Sequence, residues 1–173
     1  KVTLIGTGAH GDADRLKMPS HPNIRVKLSS YCPPGMWQKI HYLGFSLRFI
    51  LNALIHRPDF VYASDQWSYP VGWCVSWIPG RKVILHEHDT PASQGGLMIR
   101  CIQWFRRRLA KRAVTCVIPQ ADRARRFAME LEPHDLRVVW NCPRHSEIPQ
   151  IAVKPERCGF VLWYHGSIVP GQF

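Results

Sequence analysis

The segment His86-Glu87-His88-Asp89 is the densest group of side chains in the chain that could exchange protons or bind polar ligands. It follows an apolar run, 82–85, that predicts a strand. Alternation along an extended backbone sends His86 and His88 to one side and Glu87 to the other. A histidine at such a place can exchange a proton near neutral pH or bind a hydroxyl or phosphate group. Capping of a loop is the alternative role, and this spacing alone does not predict a metal site.

The run from Gly6 to Gly11 matches the pattern G-x-G-x-x-G and follows a predicted strand. A dinucleotide site would need a helix to begin there, with its N-terminus at the pyrophosphate. Asp12 and Asp14 instead put negative charge at that place, and Pro19 ends any helix soon after. A glycine-rich loop is therefore favoured over an NAD site.

The segment 97–112 predicts a basic amphipathic helix. Its apolar face is predicted to contain Met98, Cys101, Phe105 and Leu109. Its polar face is predicted to carry Arg106, Arg107, Arg108, Lys111 and Arg112. Because basic amphipathic helices often lie on anionic membranes, we expect these residues to make peripheral membrane contact, with a solvated helix face as the alternative. Nucleic-acid binding is not expected, since no motif for it is present.

The composition limits the class of protein further. The chain has 173 residues, of which 46% are hydrophobic, enough for one packed domain or one domain with a short addition. A formal net charge of +11 favours an anionic partner. Six cysteines without a C-x-x-C pair fit a reduced, cytoplasmic compartment, with peripheral contact at the inner face of the membrane as a further option. No apolar run reaches the ~20 residues of a membrane span.

Short apolar runs alternate with longer segments at helical spacing. Strands are predicted over 1–5, 23–28, 60–63, 82–85, 114–118, 136–140 and 160–164, and helices over 36–55, 69–78, 97–112 and 120–131. This alternation predicts an α/β fold, a Rossmann-like parallel sheet with helices on both faces. Ligands of such sheets bind beyond the carboxyl ends of the strands, which gives weight to the residues that follow Leu85, Trp140 and Tyr164.

The order of four segments resembles the family 4 glycosyltransferases, which have the GT-B fold. The segments are VILHEHD at 83–89, RRLAKRAVTCVIPQADR at 107–123, VVWNCP at 138–143 and VLWYHGSIVPG at 161–171. They look like the family's strand ending in His-Asp, its helix-strand-helix unit, the last strand of its N-terminal domain and the first strand and loop of its C-terminal domain. The resemblance implies an N-terminal acceptor-side domain at 1–143, a linker at 144–158 and the start of the donor-binding domain at 159–173.

The resemblance also implies an activity. The family transfers a sugar from a nucleotide diphosphate donor, so we expect a hexosyltransferase-type enzyme of cell-envelope polysaccharide biosynthesis, with a glycan or lipid-linked acceptor. No cofactor beyond the nucleotide sugar, and no metal, is implied. By resemblance, His88 is the catalytic residue, and His86, Glu87 and Asp89 are acceptor-side candidates. The resemblance likewise assigns two candidate donor-binding residues, Gly166 and Ser167, although the basic residue often found in that loop is absent.

The resemblance further implies that the sequence is a truncated part of a longer enzyme. The family's first strand, glycine loop and long helix would precede Lys1, and its E-x7-E donor motif would follow Phe173. We therefore expect this part alone to be inactive. The alternatives are a degenerate, non-catalytic GT-B-like binding domain and an NAD(P)-binding Rossmann protein.

Overall fold

The computed structural model describes residues 1–7, 21–33, 35–89 and 96–140, in which six strands alternate with four helices. The strands are β1 (Val2–Thr7), β2 (Ile24–Ser29), β3 (Phe60–Ser64), β4 (Lys82–His86), β5 (Thr115–Ile118) and β6 (Leu136–Val138). The helices are α1 (Met36–His56), α2 (Tyr69–Val75), α3 (Leu97–Ala110) and α4 (Ala121–Leu131). Each lies where the sequence predicted it, and α2 ends earlier than expected.

Strands β3 to β6 form one parallel sheet in the order β3-β4-β5-β6. Parallel neighbours need a crossover connection, and α2, α3 and α4 supply one between each successive pair. The predicted α/β class with a Rossmann-like parallel sheet is therefore confirmed. In this register Ser64 lies opposite His86, and His86 lies opposite Val117. The carboxyl ends of β3, β4 and β5 thus meet at one edge of the sheet.

Strands β1 and β2 form a separate parallel pair, running in register from Val2 opposite Ile24. The sequence predicted a single parallel sheet. The described residues form two sheets, because no backbone hydrogen bonds of a strand pair join β1 to β3. A cavity of about 870 Å³ is lined by Ile5 of β1 and by Val61 and Ala63 of β3. The two sheets therefore border a common opening instead of pairing with each other.

The core lies where α2 and α3 cover the four-stranded sheet. Tyr69, Leu85 and Leu109 are completely buried there. Gly72 permits the close approach, because a Cβ atom at this position would lie 2.9 Å from Leu109 Cδ2 and 3.1 Å from the Cβ of Ala63. This tight contact fixes α2 and α3 against the strands whose ends carry the histidines.

Helix α1 keeps much of its apolar face exposed. Its stripe of large apolar side chains is 46% to 70% exposed and consists of Met36, Ile40, Leu43, Leu47, Leu51 and Leu54. The spacing that predicted the helix is therefore real, but within the described part of the chain little covers it. Across the same residues, no helix combines the length and apolar character that crossing a bilayer requires.

Candidate active site

The segment that begins at His86 lies at the carboxyl edge of the sheet, beside the end of β3. The backbone N–H of Asp65 donates to the carbonyl of His86 at 3.3 Å. Asp65 has φ 71° and ψ 163°, a conformation that residues other than glycine rarely adopt. Such strain persists only where the surroundings enforce it, and here it turns the chain sharply next to the histidines.

The rings of His86 and His88 contact each other in a tilted arrangement, with centroids 3.7 Å apart and an interplanar angle of 41°. His86 is buried, its Nδ1 bonds the Tyr62 hydroxyl, and its Nε2 has no hydrogen-bond partner among the described residues. Burial, followed by the nearby His88, lowers the pKa of His86, so this ring is neutral at physiological pH. His88 is only partly buried and forms the outer member of the pair.

Glu87 points away from the histidines into the protein, where it is 3% exposed. Arg106 binds its carboxylate in bidentate fashion, with Nε 2.7 Å from Oε2 and Nη2 3.0 Å from Oε1. The Tyr69 hydroxyl donates to Oε2 at 3.1 Å. Burial, followed by the charge of Glu87, raises the pKa of Tyr69, which keeps this donor protonated. The Glu87 carboxylate is thus held by internal partners.

Arg123 of α4 holds the backbone of the same segment. Its guanidinium donates to the carbonyl of His88, lies 3.5 Å from the carbonyl of Glu87 and lies 3.9 Å from Glu87 Oε1. The N–H of Glu87 donates to the carbonyl of Val117 in β5 at 3.1 Å. Groups from α2, α3, α4 and β5 therefore fix the segment that carries the histidine pair.

The prediction that Arg106 lies on a membrane-facing side of its helix is wrong. Arg106 is 5% exposed, and besides Glu87 it contacts Glu130 at 3.1 Å. It lies one helical turn from Ile102 and from Leu109, which are both buried, so it belongs to the buried face of α3. Cys101 was predicted on the apolar face, yet it is exposed.

Sequence reasoning missed four residues that shape this site: Tyr62, Asp65, Tyr69 and Arg123. Asp65 could have been found, because it follows β3 at the edge where ligands of parallel sheets bind. The other three act through partners that only the fold brings near. Their spacing in the sequence carries no signal of those contacts.

Of the remaining predicted site residues, Asp89 is exposed at the end of a described range. Gly166 and Ser167, the glycine loop beyond Thr7 and the segments 144–158 and 159–173 lie outside the described residues. Residues Lys1–Trp140 form one compact unit. Within the described ranges, no group of three or more His, Cys, Asp or Glu side chains is placed to hold a metal ion.

The arrangement brings two imidazoles together at one edge of the sheet. A neutral, buried imidazole supports a second imidazole that is open to a ligand, and both lie at the edge of the sheet where ligands bind. An imidazole so placed can orient a hydroxyl group by a hydrogen bond and take its proton.

Comparison with known proteins extends this result. A family model described as a glycosyl transferase 4-like domain matches residues 1–142. The matched range includes the four-stranded sheet, its crossover helices and the histidine pair. The comparison with curated proteins gives no match. Since the family model spans most of the sequence, the chain belongs to the glycosyl transferase 4-like family.

Proposed function

We propose that this domain forms the acceptor side of an enzyme that transfers a sugar from a nucleotide diphosphate donor to a glycan or lipid-linked acceptor. The observation that carries the proposal is the contacting pair of His86 and His88 at the carboxyl edge of the sheet, in a chain of this family. A cytoplasmic location belongs to the same proposal. It is supported by the free state of Cys32, Cys74, Cys101 and Cys116, which suits a reducing compartment.

His88 is the proposed catalytic residue because it is the member of the pair that a ligand can reach. Its imidazole orients the acceptor hydroxyl and takes up the hydroxyl proton as the oxygen bonds the anomeric carbon, while the bond from that carbon to the diphosphate breaks and the nucleoside diphosphate leaves. His86 contacts its ring, and the lowered pKa of His86 keeps this supporting imidazole uncharged beside the group that takes up the proton. Asp89, exposed beside the pair, offers a carboxylate to further hydroxyl groups of a sugar.

Glu87 has a different proposed role from the one its position in the sequence predicts. Its bonds to Arg106 and Tyr69 occupy the carboxylate, so it anchors the segment and leaves ligand contact to His88 and Asp89. On the donor side, Gly166 and Ser167 remain predictions for contact with the diphosphate.

The test is a transfer assay on the protein that contains this chain, using UDP-, GDP- and dTDP-linked hexoses. Each donor is offered with a membrane lipid extract or with a soluble polysaccharide, and release of the nucleoside diphosphate is measured. Loss of a general acid–base group lowers kcat by about 10²- to 10⁴-fold, and we expect this from His88→Ala. His134→Ala, which removes an exposed histidine before β6, is the matched control and should leave kcat unchanged.

Two results would count against the proposal. If the folded His88→Ala variant kept a kcat within about twofold of the wild-type value, His88 would not be catalytic, because loss of an acid–base group lowers kcat far more than this. If the wild type bound a donor or acceptor without any turnover, the chain would instead belong to a non-catalytic binding protein of the same fold.

A further inference from the structure

Helices α2 and α3 and the residues directly after them carry two exposed tryptophans, each with an arginine guanidinium over its ring. We call Trp77, Trp104, Arg108 and Arg112 the Trp–Arg surface. Trp77 is 60% exposed and Trp104 is 45% exposed. The partly buried Trp73 lies edge-on to both rings, with centroid distances of 5.9 Å to Trp77 and 5.5 Å to Trp104. The exposed rings are therefore held in place by packing.

The arginines of this surface contact rings and not carboxylates, and Arg112 also donates from Nε to Ser76 Oγ at 3.0 Å and from Nη2 to the Ser76 carbonyl at 2.9 Å, which leaves its Nη1 group for a ligand. The guanidinium of Arg112 lies 3.8 Å from the Trp77 ring centroid, and that of Arg108 lies 5.2 Å from the Trp104 centroid. The neighbouring Lys111, in contrast, forms an ion pair with the Glu132 carboxylate at 3.1 Å. Within the part of the chain that the structure describes, no carboxylate forms an ion pair with Arg108 or Arg112. Their charge is therefore available to an anionic partner.

The stretches of sequence that build this surface reinforce its positive charge. Neither residues 66–86 nor residues 90–121 contain a single Asp or Glu, whereas α3 and the residue pair after it carry six Arg or Lys side chains. The chain as a whole has a formal net charge of +11. A surface with this charge attracts anionic partners and repels cationic ones.

We propose that the Trp–Arg surface docks the protein on an anionic lipid bilayer. Tryptophan rings settle at the boundary between headgroups and acyl chains, and guanidinium groups bind lipid phosphates in bidentate fashion. Leu97 is 82% exposed and lies two turns before Trp104 on the same side of α3, so it adds an apolar contact. This combination of exposed aromatic, apolar and basic groups distinguishes the surface from a plainly solvated basic helix. The docking does not depend on the proposed sugar transfer.

The experiment is co-sedimentation of the full chain with vesicles of phosphatidylcholine alone or mixed with phosphatidylglycerol. We expect binding to the mixed vesicles that weakens as salt is added, and little binding to phosphatidylcholine. Arg108→Gln/Arg112→Gln should weaken binding to the mixed vesicles about 25-fold. Each basic residue near an anionic surface strengthens binding about fivefold, and the variant removes two of them. Trp77→Ala should weaken binding to mixed vesicles without changing its salt dependence.

The matched control is Arg25→Gln/Arg48→Gln, which removes the same charge from exposed positions of β2 and α1. It should bind as the wild type does. Equal losses in both double variants would overturn the proposal, because net charge and not this surface would then explain binding. So would tighter binding to duplex DNA or RNA than to mixed vesicles, lost in Arg108→Gln/Arg112→Gln. Urea unfolding of each variant confirms that it is folded.

Discussion

Replacing Arg106 by methionine tests whether the buried ion pair holds the histidine segment in place. The change keeps an unbranched apolar side chain but removes the guanidinium, so the Glu87 carboxylate, 3% exposed, is left with the Tyr69 hydroxyl as its remaining close donor. Removing one partner of a buried ion pair costs about 3–5 kcal/mol. Arg123 lies 3.9 Å from Glu87 Oε1 and can take over part of the charge, so we expect about 3 kcal/mol.

The assay is urea unfolding of the full chain, followed by circular dichroism, with the melting temperature as a second measure. A loss of about 3 kcal/mol corresponds to a fall in Tm of about 6–12 °C for a domain of this size. Glu87→Gln/Arg106→Met should recover part of this loss, because it removes the uncompensated charge as well. Arg125→Gln is the control, since its partner Asp122 is 84% exposed and such pairs contribute about 0.2–1 kcal/mol.

A free energy of unfolding for Arg106→Met within about 1 kcal/mol of the wild-type value, the range of an exposed pair, would contradict this expectation. A double variant that is less stable than Arg106→Met would contradict it as well. Either result would mean that the carboxylate is hydrated or rearranges, so that the ion pair does not position the histidines.

Two further predictions concern the pH dependence of stability and the packing of α2. The folded-state pKa of His86 lies below its unfolded value of about 6.5, so in acid the unfolded chain binds a proton that the folded chain resists. Stability should therefore fall as the pH drops below about 6.5, and His86→Gln should make that fall smaller. Gly72→Ala should cost about 1–3 kcal/mol by overpacking against Leu109, whereas Gly44→Ala, in open space on α1, should gain about 0.5–1 kcal/mol.

Both can be checked by urea unfolding. If the free energy of unfolding of His86→Gln fell with decreasing pH as steeply as that of the wild type, another group would cause the pH dependence. A neutral or stabilising Gly72→Ala would show that α2 can move away from the sheet at little cost, contrary to the close contact that Gly72 makes.

The amino-acid pattern is sufficient to predict the main elements of this protein and the sheet edge at which its candidate site lies. Apolar spacing located the six described strands and the four α-helices, because the period of about 2.0 in strands and of about 3.6 in helices reports which side chains an element can bury; the short 3-10 helix Gln66–Ser68 was not predicted. The rule for parallel sheets then directed attention to His86 and His88 at the end of β4. The burial of Arg106 was predicted wrongly, because the charges around it suggested a polar face although it lies in phase with the buried Ile102 and Leu109.

The packing of the folded chain sets which residues those side chains touch. Glu87 meets Tyr69 across 18 residues of sequence and Arg106 across 19, and His86 meets Tyr62 across 24. It also decided that Trp77 and Trp104 remain exposed around Trp73. A local pattern specifies which face of an element is apolar, but it does not specify which distant element covers that face. That choice depends on the packing of several elements at once, because each contact forms only when the others hold its partners in place.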